Sequence, residues 1–231
     1  MADRIVILTG AGLSAESGLG TFRDKDGLWT KYDLAEVATP EGFAADPAKV
    51  HGFYNARRRN CLEAAPNPAH AALARLQQAR PDAVSLVTQN VDDLLERAGA
   101  RDVIHMHGML TRAKCAACDA VWDQRADMAP EDPCSSCGTP ATRPDIVWFG
   151  EYPYHMEAIW DLLRAADLFV AIGTSGQVYP AAAFVQDAAR AGAHTLELNL
   201  EDSDTSRDFH ATRRGPASEL VPAWVAEILG S

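Results

Sequence analysis

The chain lacks the features that would commit it to a special class. None of its 231 residues lies in an unbroken apolar run of 18 or more, so no membrane partner is expected. No basic segment precedes the apolar stretch Ile5-Val6-Ile7-Leu8 and no small-residue cleavage site follows it, so no secretory signal is read and a cytoplasmic protein is expected. Basic residues are in deficit, 21 Lys and Arg against 32 Asp and Glu, for a formal net charge of −11. Such a surface repels polyphosphate, which argues against an electrostatically driven nucleic-acid binder. It remains compatible with basic partners such as lysine-bearing peptides, although most acidic proteins are acidic for solubility. Internal repeats and low-complexity linkers are absent. Cysteine is scarce, at five, and four of the five fall in two Cys-x-x-Cys pairs. In a reducing compartment that pattern favours a metal over disulfides.

What is present is an ordinary globular composition, 47% hydrophobic and 23% charged, in a length that suits one domain with insertions. Short apolar runs at Ile5–Leu8, Val84–Val87, Val103–His105, Leu168–Ile172 and Thr195–Leu198 have the length of buried parallel strands. Helical spacing appears in Val91/Leu94/Leu95/Ala98 before Gly99, Met156/Ile159/Trp160/Leu163, Phe184/Val185/Ala188 and Leu220/Val221/Trp224/Val225/Ile228. Strands alternating with helices predict an α/β fold, a Rossmann-like doubly wound parallel sheet. Two segments break the alternation. Residues 31–69 carry Tyr32, Phe43, Phe53 and Tyr54 without a strand signal and predict a helical insertion; residues 109–145 carry the four paired cysteines and little apolar content. The dinucleotide-binding part is then expected to be 1–30, 70–108 and 146–231.

Three groups of residues carry chemistry. Gly10-Ala11-Gly12-Leu13-Ser14-Ala15 satisfies G-x-G-x-x-A where the first strand should turn into a helix, a place where backbone N–H groups can meet phosphate oxygens. The acidic residue that dehydrogenases place after a second strand has no counterpart, because no strand precedes Asp33 or Glu36. A glycine-rich stretch through Gly18, Gly20 and Arg23 follows instead and reads as a loop over the ligand, which argues against plain hydride transfer. Cys115-x2-Cys118-x15-Cys134-x2-Cys137 lets four thiolates converge on one structural Zn²⁺ with no open coordination position. Redox-active pairs are the alternative, but such motifs normally sit alone at a βα turn. Cys61 reads as an ordinary packed residue. Finally, Thr88-Gln89-Asn90-Val91-Asp92 and Ile104-His105-Met106-His107-Gly108 lie at strand ends, where open α/β sheets bind ligands. Periodicity cannot choose between His105 and His107, two residues apart. His107 precedes a glycine at the strand exit and is the better candidate base.

The stretch from Gly10 to Arg23, Gln89-Asn90-Val91-Asp92, His107-Gly108, the cysteine quartet, Gly173-Thr174-Ser175 and Asn199-Leu200-Glu201 occur in the order found in sirtuins. From about Arg4 to Leu229 the chain resembles that family of NAD-dependent protein lysine deacylases. Tyr54-Asn55-Ala56-Arg57 resembles the acyl-pocket Tyr-x-x-Arg of its class III, desuccinylase-type branch. The resemblance implies that NAD is consumed: the acyl-lysine oxygen attacks the nicotinamide ribose, nicotinamide leaves, and water finally releases lysine and O-acyl-ADP-ribose. It assigns His107 and Asn90 to catalysis, with His107 taking a proton from a ribose hydroxyl. Gly10, Ala11 and Gly12 are assigned to the pyrophosphate, with Ala15 and Thr21 beside them, and Phe22 and Arg23 to closure over the nicotinamide ribose. Gln89, Asn90 and Asp92 are assigned to the ribose and nicotinamide pocket. Gly173, Thr174, Ser175, Asn199, Leu200, Glu201 and Ala217 are assigned to the adenosine half.

By the same resemblance Val147, Trp148, Phe149 and Gly150 pair with substrate peptide as an added strand, a mode with little side-chain preference. Tyr54 and Arg57, at i and i+3, share a helix face and could hold the carboxylate of a succinyl or malonyl group. Arg58 and Arg59 follow directly and blur that assignment. Asp24 and Asp93 depart from the common pattern by adding negative charge near the pocket. The expected partners are NAD and acyl-lysine proteins or peptides, with a monomer as the expected state. ADP-ribosyl transfer or glycohydrolysis in the same pocket, and a non-catalytic NAD-binding scaffold, are the alternatives.

Overall fold

Every neighbouring pair of strands in the main sheet runs in the same direction. The structure, a computed structural model, describes residues 2–20 and 33–230. In them β1 (Ile5–Thr9) is followed by a single helical turn, α1 (Gly12–Ala15), then by α2 (Leu34–Val37), α3 (Pro40–Ala45) and α4 (Pro47–Glu63). Next come α5 (Pro68–Ala79), β2 (Val84–Thr88), α6 (Leu94–Arg97) and β3 (Ile104–His105). The chain then leaves the main sheet through β4 (Gly108–Cys115), β5 (Val121–Asp123) and β6 (Thr142–Ile146). It returns through α7 (Met156–Ala165), β7 (Leu168–Ile172), α8 (Phe184–Arg190), β8 (His194–Asn199), β9 (Ala211–Arg214) and α9 (Ala217–Leu229). The strand order β3-β2-β1-β7-β8-β9, with parallel pairing throughout, reverses direction beside β1. In such sheets the carboxyl ends of the strands part around a crevice at the reversal.

The strands are apolar on both faces because helices cover both faces. Ile5, Ile7, Leu86, Val170 and Ile172 pack against Leu73 and Leu76 of α5 and Val221, Trp224 and Val225 of α9. The alternate residues Val6, Leu8, Val87, Phe169 and Ala171 pack against Ile159 and Leu163 of α7 and Phe184, Val185 and Ala188 of α8. Full burial of such a side chain contributes about 2 kcal/mol, so the sheet and its two helical layers account for the frame. α5 starts sharply: Asn67 caps it by accepting from the N–H groups of Ala69 and His70, and Pro68 fills its first turn.

β4, β5 and β6 form a separate antiparallel sheet in the order β5-β4-β6. The crossing from one sheet to the other is made at Gly108, where φ is +80° and a Cβ would lie 2.0 Å from the Asp145 carbonyl oxygen. That position admits glycine alone. A third apolar cluster joins Val37, Val50, Phe53, Tyr54 and Cys61 to Leu110, Ile146 and Trp148, fastening α4 to this small sheet. The face of α4 beside this one is buried but polar: Asn55 Nδ2 donates to the Met128 carbonyl (2.8 Å), Asn55 Oδ1 accepts from the Met128 N–H (2.9 Å), and Arg58 Nε donates to the Leu110 carbonyl (2.6 Å).

Several local expectations need correction. The helix after the glycine turn is one turn long, and that expected around Leu94 shrinks to Leu94–Arg97 and leaves Val91 outside. Past β6 the chain runs through Val147 and Trp148 into a turn at Phe149 and Gly150, which leaves the peptide-pairing expectation for this segment as it was. The small three-stranded sheet within 108–146 and the edge strand β9 had no sequence signal. Among the described residues, no helix is long and apolar enough to cross a membrane.

Candidate active site

The carboxyl ends of β1 and β7 interlock. Gly10 N–H donates to the Ile172 carbonyl (2.9 Å) and Gly12 N–H to the Gly173 carbonyl (2.8 Å). A Cβ on Gly10 would lie 2.8 Å from Gly173 O, and one on Gly12 2.7 Å from Gly173 Cα. Close approach of two backbone turns therefore requires these glycines before any ligand is considered.

The turns open into a cavity of about 880 Å³, within the range of small-molecule sites. Gly10, Ala11, Gly12 and Ala15 form its floor behind β1, and Gln89, Asn90 and Asp92 line it behind β2. His107 lines it beyond β3. On the far side lie Gly173, Thr174 and Ser175 after β7, Asn199, Leu200 and Glu201 at the end of β8, and Ala217 at the start of α9. Tyr54 and Arg57 of α4 and Val147, Trp148, Phe149 and Gly150 after β6 close the other end. Thr21, Phe22, Arg23 and Asp24 lie outside the described residues, as does most of the loop expected over the ligand. From β2 to β8 is three strand spacings, about 14 Å, so the cavity suits an elongated ligand.

Three polar side chains of its lining, Ser14, Asn90 and Asp92, form a hydrogen-bonded set with His70 behind them. His70 Nδ1 accepts from the Asn67 N–H (3.2 Å), so in neutral His70 the proton sits on Nε2 and donates to Ser14 Oγ (3.2 Å). Asn90 Nδ2 donates to the same oxygen (3.2 Å), and Ser14 Oγ donates to Asp92 Oδ2 (3.0 Å). Burial pushes the His70 pKa down to about 4, which keeps the ring neutral. Burial raises that of Asp92, opposed by hydrogen bonds from Leu94 N–H and Ser14. Neither Ser14 nor His70 was among the expected site residues. The sequence Asn67-Pro68-Ala69-His70 signals a helix start, but not that its histidine turns toward the glycine-rich turn.

The two histidines that periodicity left together are separated by the structure. His105 Nδ1 lies 3.3 Å from the Asn90 carbonyl and Nε2 2.7 Å from Glu96 Oε1, so both nitrogens are occupied away from the cavity. His107 Nδ1–H donates to the Gln89 carbonyl (3.1 Å), which can only accept. In the neutral ring this leaves Nε2 with its lone pair. Burial lowers the His107 pKa, opposed by the Gln89 carbonyl, so the ring is held in the form that accepts a proton.

At the α4 end, Trp148 is fixed from three sides. Its Nε1–H donates to the Tyr54 hydroxyl (3.0 Å), its backbone N–H donates to Glu151 Oε2 (2.9 Å), and the Arg143 guanidinium stacks 3.5 Å above its ring. Arg143 in turn forms a two-pronged pair with Glu151 (2.6 and 2.9 Å). Burial raises the Tyr54 pKa, so the phenol keeps its proton. The Arg57 guanidinium lies 5.7 Å from the centre of the Tyr54 ring. Arg58 and Arg59 are committed elsewhere: Arg58 is buried on Leu110 O and Asn55, and Arg59 pairs with Asp127. Asp93 departs from expectation too, because its carboxylate faces Arg97 (3.6 Å) and Arg125 (3.4 Å) and does not line the cavity. The Val147 N–H donates to the His107 carbonyl (3.0 Å) and the Phe149 N–H to the Ala38 carbonyl (2.9 Å), tying this segment to both His107 and the end of α2.

Away from the cavity, the Sγ atoms of Cys115, Cys118, Cys134 and Cys137 lie within 4.8 Å of one another. The Cys115–Cys137 and Cys118–Cys134 separations are both 3.8 Å. A tetrahedron with Zn–S bonds of about 2.3 Å has edges of about 3.8 Å, so the donor set fits a structural zinc. Ala117 N–H and Ser136 N–H donate to Cys115 and Cys134 sulfur (both 3.3 Å), as thiolates at a metal require.

The Sir2 family model matches residues 10–180. The chain belongs to the Sir2 family. It is 56% identical to the NAD-dependent protein deacylase of Caulobacter vibrioides, over 98% of this chain and 97% of that protein. A crystal structure of a Sir2 homologue in complex with NAD superposes with a TM-score of 0.91 at 37% identity, covering 99% of this chain and 90% of that one. A Sir2 protein bound to acetylated peptide superposes at 0.85 with 27% identity, covering 99% and 94%. The parallel sheet, the cysteine tetrad and the cavity thus belong to a chain with the Sir2 fold.

Proposed function

We infer that this Sir2 chain is an NAD-dependent protein lysine deacylase that removes acetyl, succinyl and malonyl groups and releases nicotinamide and O-acyl-ADP-ribose. One observation carries the reading: a single cavity joins the glycine turn, a histidine held as a base and the Tyr54/Arg57 end. The residues fit the dinucleotide, since backbone turns that exclude a Cβ form the floor and a hydrogen-bonded polar set lies beside it. Gly10, Ala11, Gly12 and Ala15 would hold the pyrophosphate, Gly173, Thr174, Ser175, Asn199, Leu200, Glu201 and Ala217 the adenosine half, and Gln89, Asn90 and Asp92 the nicotinamide ribose. The chemistry NAD supplies when bound is a glycosidic bond to nicotinamide that can be exchanged for one to the acyl oxygen.

This chain's residues do the rest. Asp92 and Asn90, ordered through Ser14 and His70, orient the polar groups at the reacting end. His107 Nε2 accepts a proton from a hydroxyl held there. Val147–Gly150 would align a peptide by main-chain pairing, and Trp148 holds the Tyr54 hydroxyl in place. With Trp148 donating to it, the Tyr54 oxygen keeps its own proton for an acceptor, and Arg57 offers a guanidinium to an acyl carboxylate. In this reading 1–30, 70–108 and 146–231 bind the dinucleotide, 31–69 shape the acyl pocket and 109–145 hold the zinc. Four thiolates at a zinc suit a reducing compartment, which supports the cytoplasm as the site of action.

Incubating the zinc-loaded protein with NAD and matched acetyl, succinyl and malonyl peptides, with product masses read out, tests the proposal. The expected products are deacylated peptide, nicotinamide and O-acyl-ADP-ribose in equal amounts. Nicotinamide released at the same rate without acyl peptide would show a glycohydrolase instead.

A further inference from the structure

β8 holds a carboxylate in an unexpected place. Both faces of its sheet are covered by helices, and Glu197 lies fully buried in the middle of the strand. A carboxylate there needs partners, because leaving a buried charge unpaired is strongly destabilising. The partners come from the loop beyond the strand and from β9. Ser203 Oγ donates to Oε1, Ser206 Oγ donates to Oε2 (2.6 Å), and Arg214 Nη2 lies 2.8 Å from Oε2. Arg214 also reaches Asp202 Oδ1 (2.6 Å) and Ser206 Oγ (3.0 Å). Glu197 is thus the anchor for residues 202–206, yet it does not touch the cavity.

The anchored loop does. Leu200 and Glu201 line the cavity between two fixed points. On one side Asn199 Nδ2 donates to the Thr174 carbonyl (2.8 Å), and on the other Glu197 holds Ser203. The loop also lies hard against the β7 turn: Asp204 N–H donates to the Ser175 carbonyl (3.0 Å), and a Cβ on Gly176 would lie 2.6 Å from Thr205 Oγ1.

We propose that Glu197 is a positioning residue that sets affinity for the adenosine half of NAD by holding loop 200–206 against the β7 turn. The inference rests on the dinucleotide reading of the cavity. Its effect is confined to binding, because β8 is three strand spacings, about 14 Å, from the groups at the end of β2.

The test is calorimetric titration of the zinc-loaded protein with ADP-ribose, alongside amide hydrogen exchange and steady-state kinetics, for wild type, Glu197→Gln and the milder Ser206→Ala. If Glu197→Gln leaves the loop closed a tenth of the time, the Kd for ADP-ribose and the KM for NAD rise about tenfold. Exchange then quickens in 200–206 but not in β1 or β7, while kcat at saturating NAD and the KM for acyl peptide stay unchanged. Ser206→Ala shows the same pattern, weaker, and decides the matter where Glu197→Gln fails to fold. Unchanged ADP-ribose affinity, or a fall in kcat with the KM for NAD unaltered, overturns the proposal. Wild-type protein that binds no ADP-ribose overturns the dinucleotide reading, and this inference with it.

Discussion

Replacing Arg57 by methionine should separate two activities that share one cavity. The substitution keeps an unbranched stem of similar reach and removes the guanidinium. A succinyl or malonyl group ends in a carboxylate and an acetyl group does not, so the loss falls on the first two. A hydrogen bond to a charged group contributes about 1.5–3 kcal/mol. Each 1.36 kcal/mol is tenfold in rate, so kcat/KM for succinyl peptide should fall about 10- to 150-fold while deacetylation survives. No neighbour can substitute, since Arg58 is buried on Leu110 O and Asn55 and Arg59 pairs with Asp127. Arg58→Met makes the contrasting control: it leaves the Leu110 carbonyl without that donor and should cost about 1–3 kcal/mol of stability rather than acyl selectivity. The assay is competition between acetyl and succinyl peptides at low concentration, with both products quantified by mass. Equal loss of the two activities in Arg57→Met, or an unchanged ratio, would refute the role.

Other consequences follow from the buried histidines, the glycine turn and the metal. His107 must be neutral to act as a base, and burial lowers its pKa below 6.5, so kcat/KM should be level above pH 6.5 and fall only in more acidic solution; a decline that begins on the alkaline side of that value would contradict the assignment. His70 is depressed from 6.5 to about 4. On acidification the unfolded chain takes up this proton first, so stability is intact above pH 6.5 and about 3 kcal/mol is lost as pH falls toward 4. Urea unfolding across that window should show the loss, and His70→Gln should lack it. Gly12→Ala puts a methyl 2.7 Å from Gly173 Cα, so it should destabilise by about 1–3 kcal/mol and weaken ADP-ribose binding; binding by the folded variant at wild-type strength would remove the turn from the site. Chelating the zinc should lower the melting temperature and speed hydrogen exchange around the tetrad before the parallel sheet, and exchange that quickens evenly would argue that the metal is not a local staple.

Some of this architecture was legible in the sequence, for a definite reason. A parallel strand covered on both faces is apolar over most of its length, so Ile5–Leu8 and Leu168–Ile172 declare themselves. β9 does not, because its half-exposed Ala211-Thr212-Arg213-Arg214 carries no apolar signal. The same logic hides α4. Val50, Phe53, Tyr54 and Cys61 form one buried face and His51, Asn55 and Arg58 another, so polar and apolar positions cancel and the helical period disappears. Tyr54 and Arg57 could be placed on one face by spacing alone, but which of three consecutive arginines enters the cavity is decided by partners 52 to 73 residues away, Leu110, Asp127 and Met128. His105 and His107 show the same limit. Two-residue spacing makes them equivalent on a strand, but β3 ends at His105 and His107 already lies in the turn that leads to Gly108 and β4. Gly108, where the chain enters β4, was visible in the sequence. What was not visible were the partners brought in by the fold, Glu96 Oε1 for one ring and the Gln89 carbonyl for the other, which spend His105 and leave His107 Nε2 its lone pair.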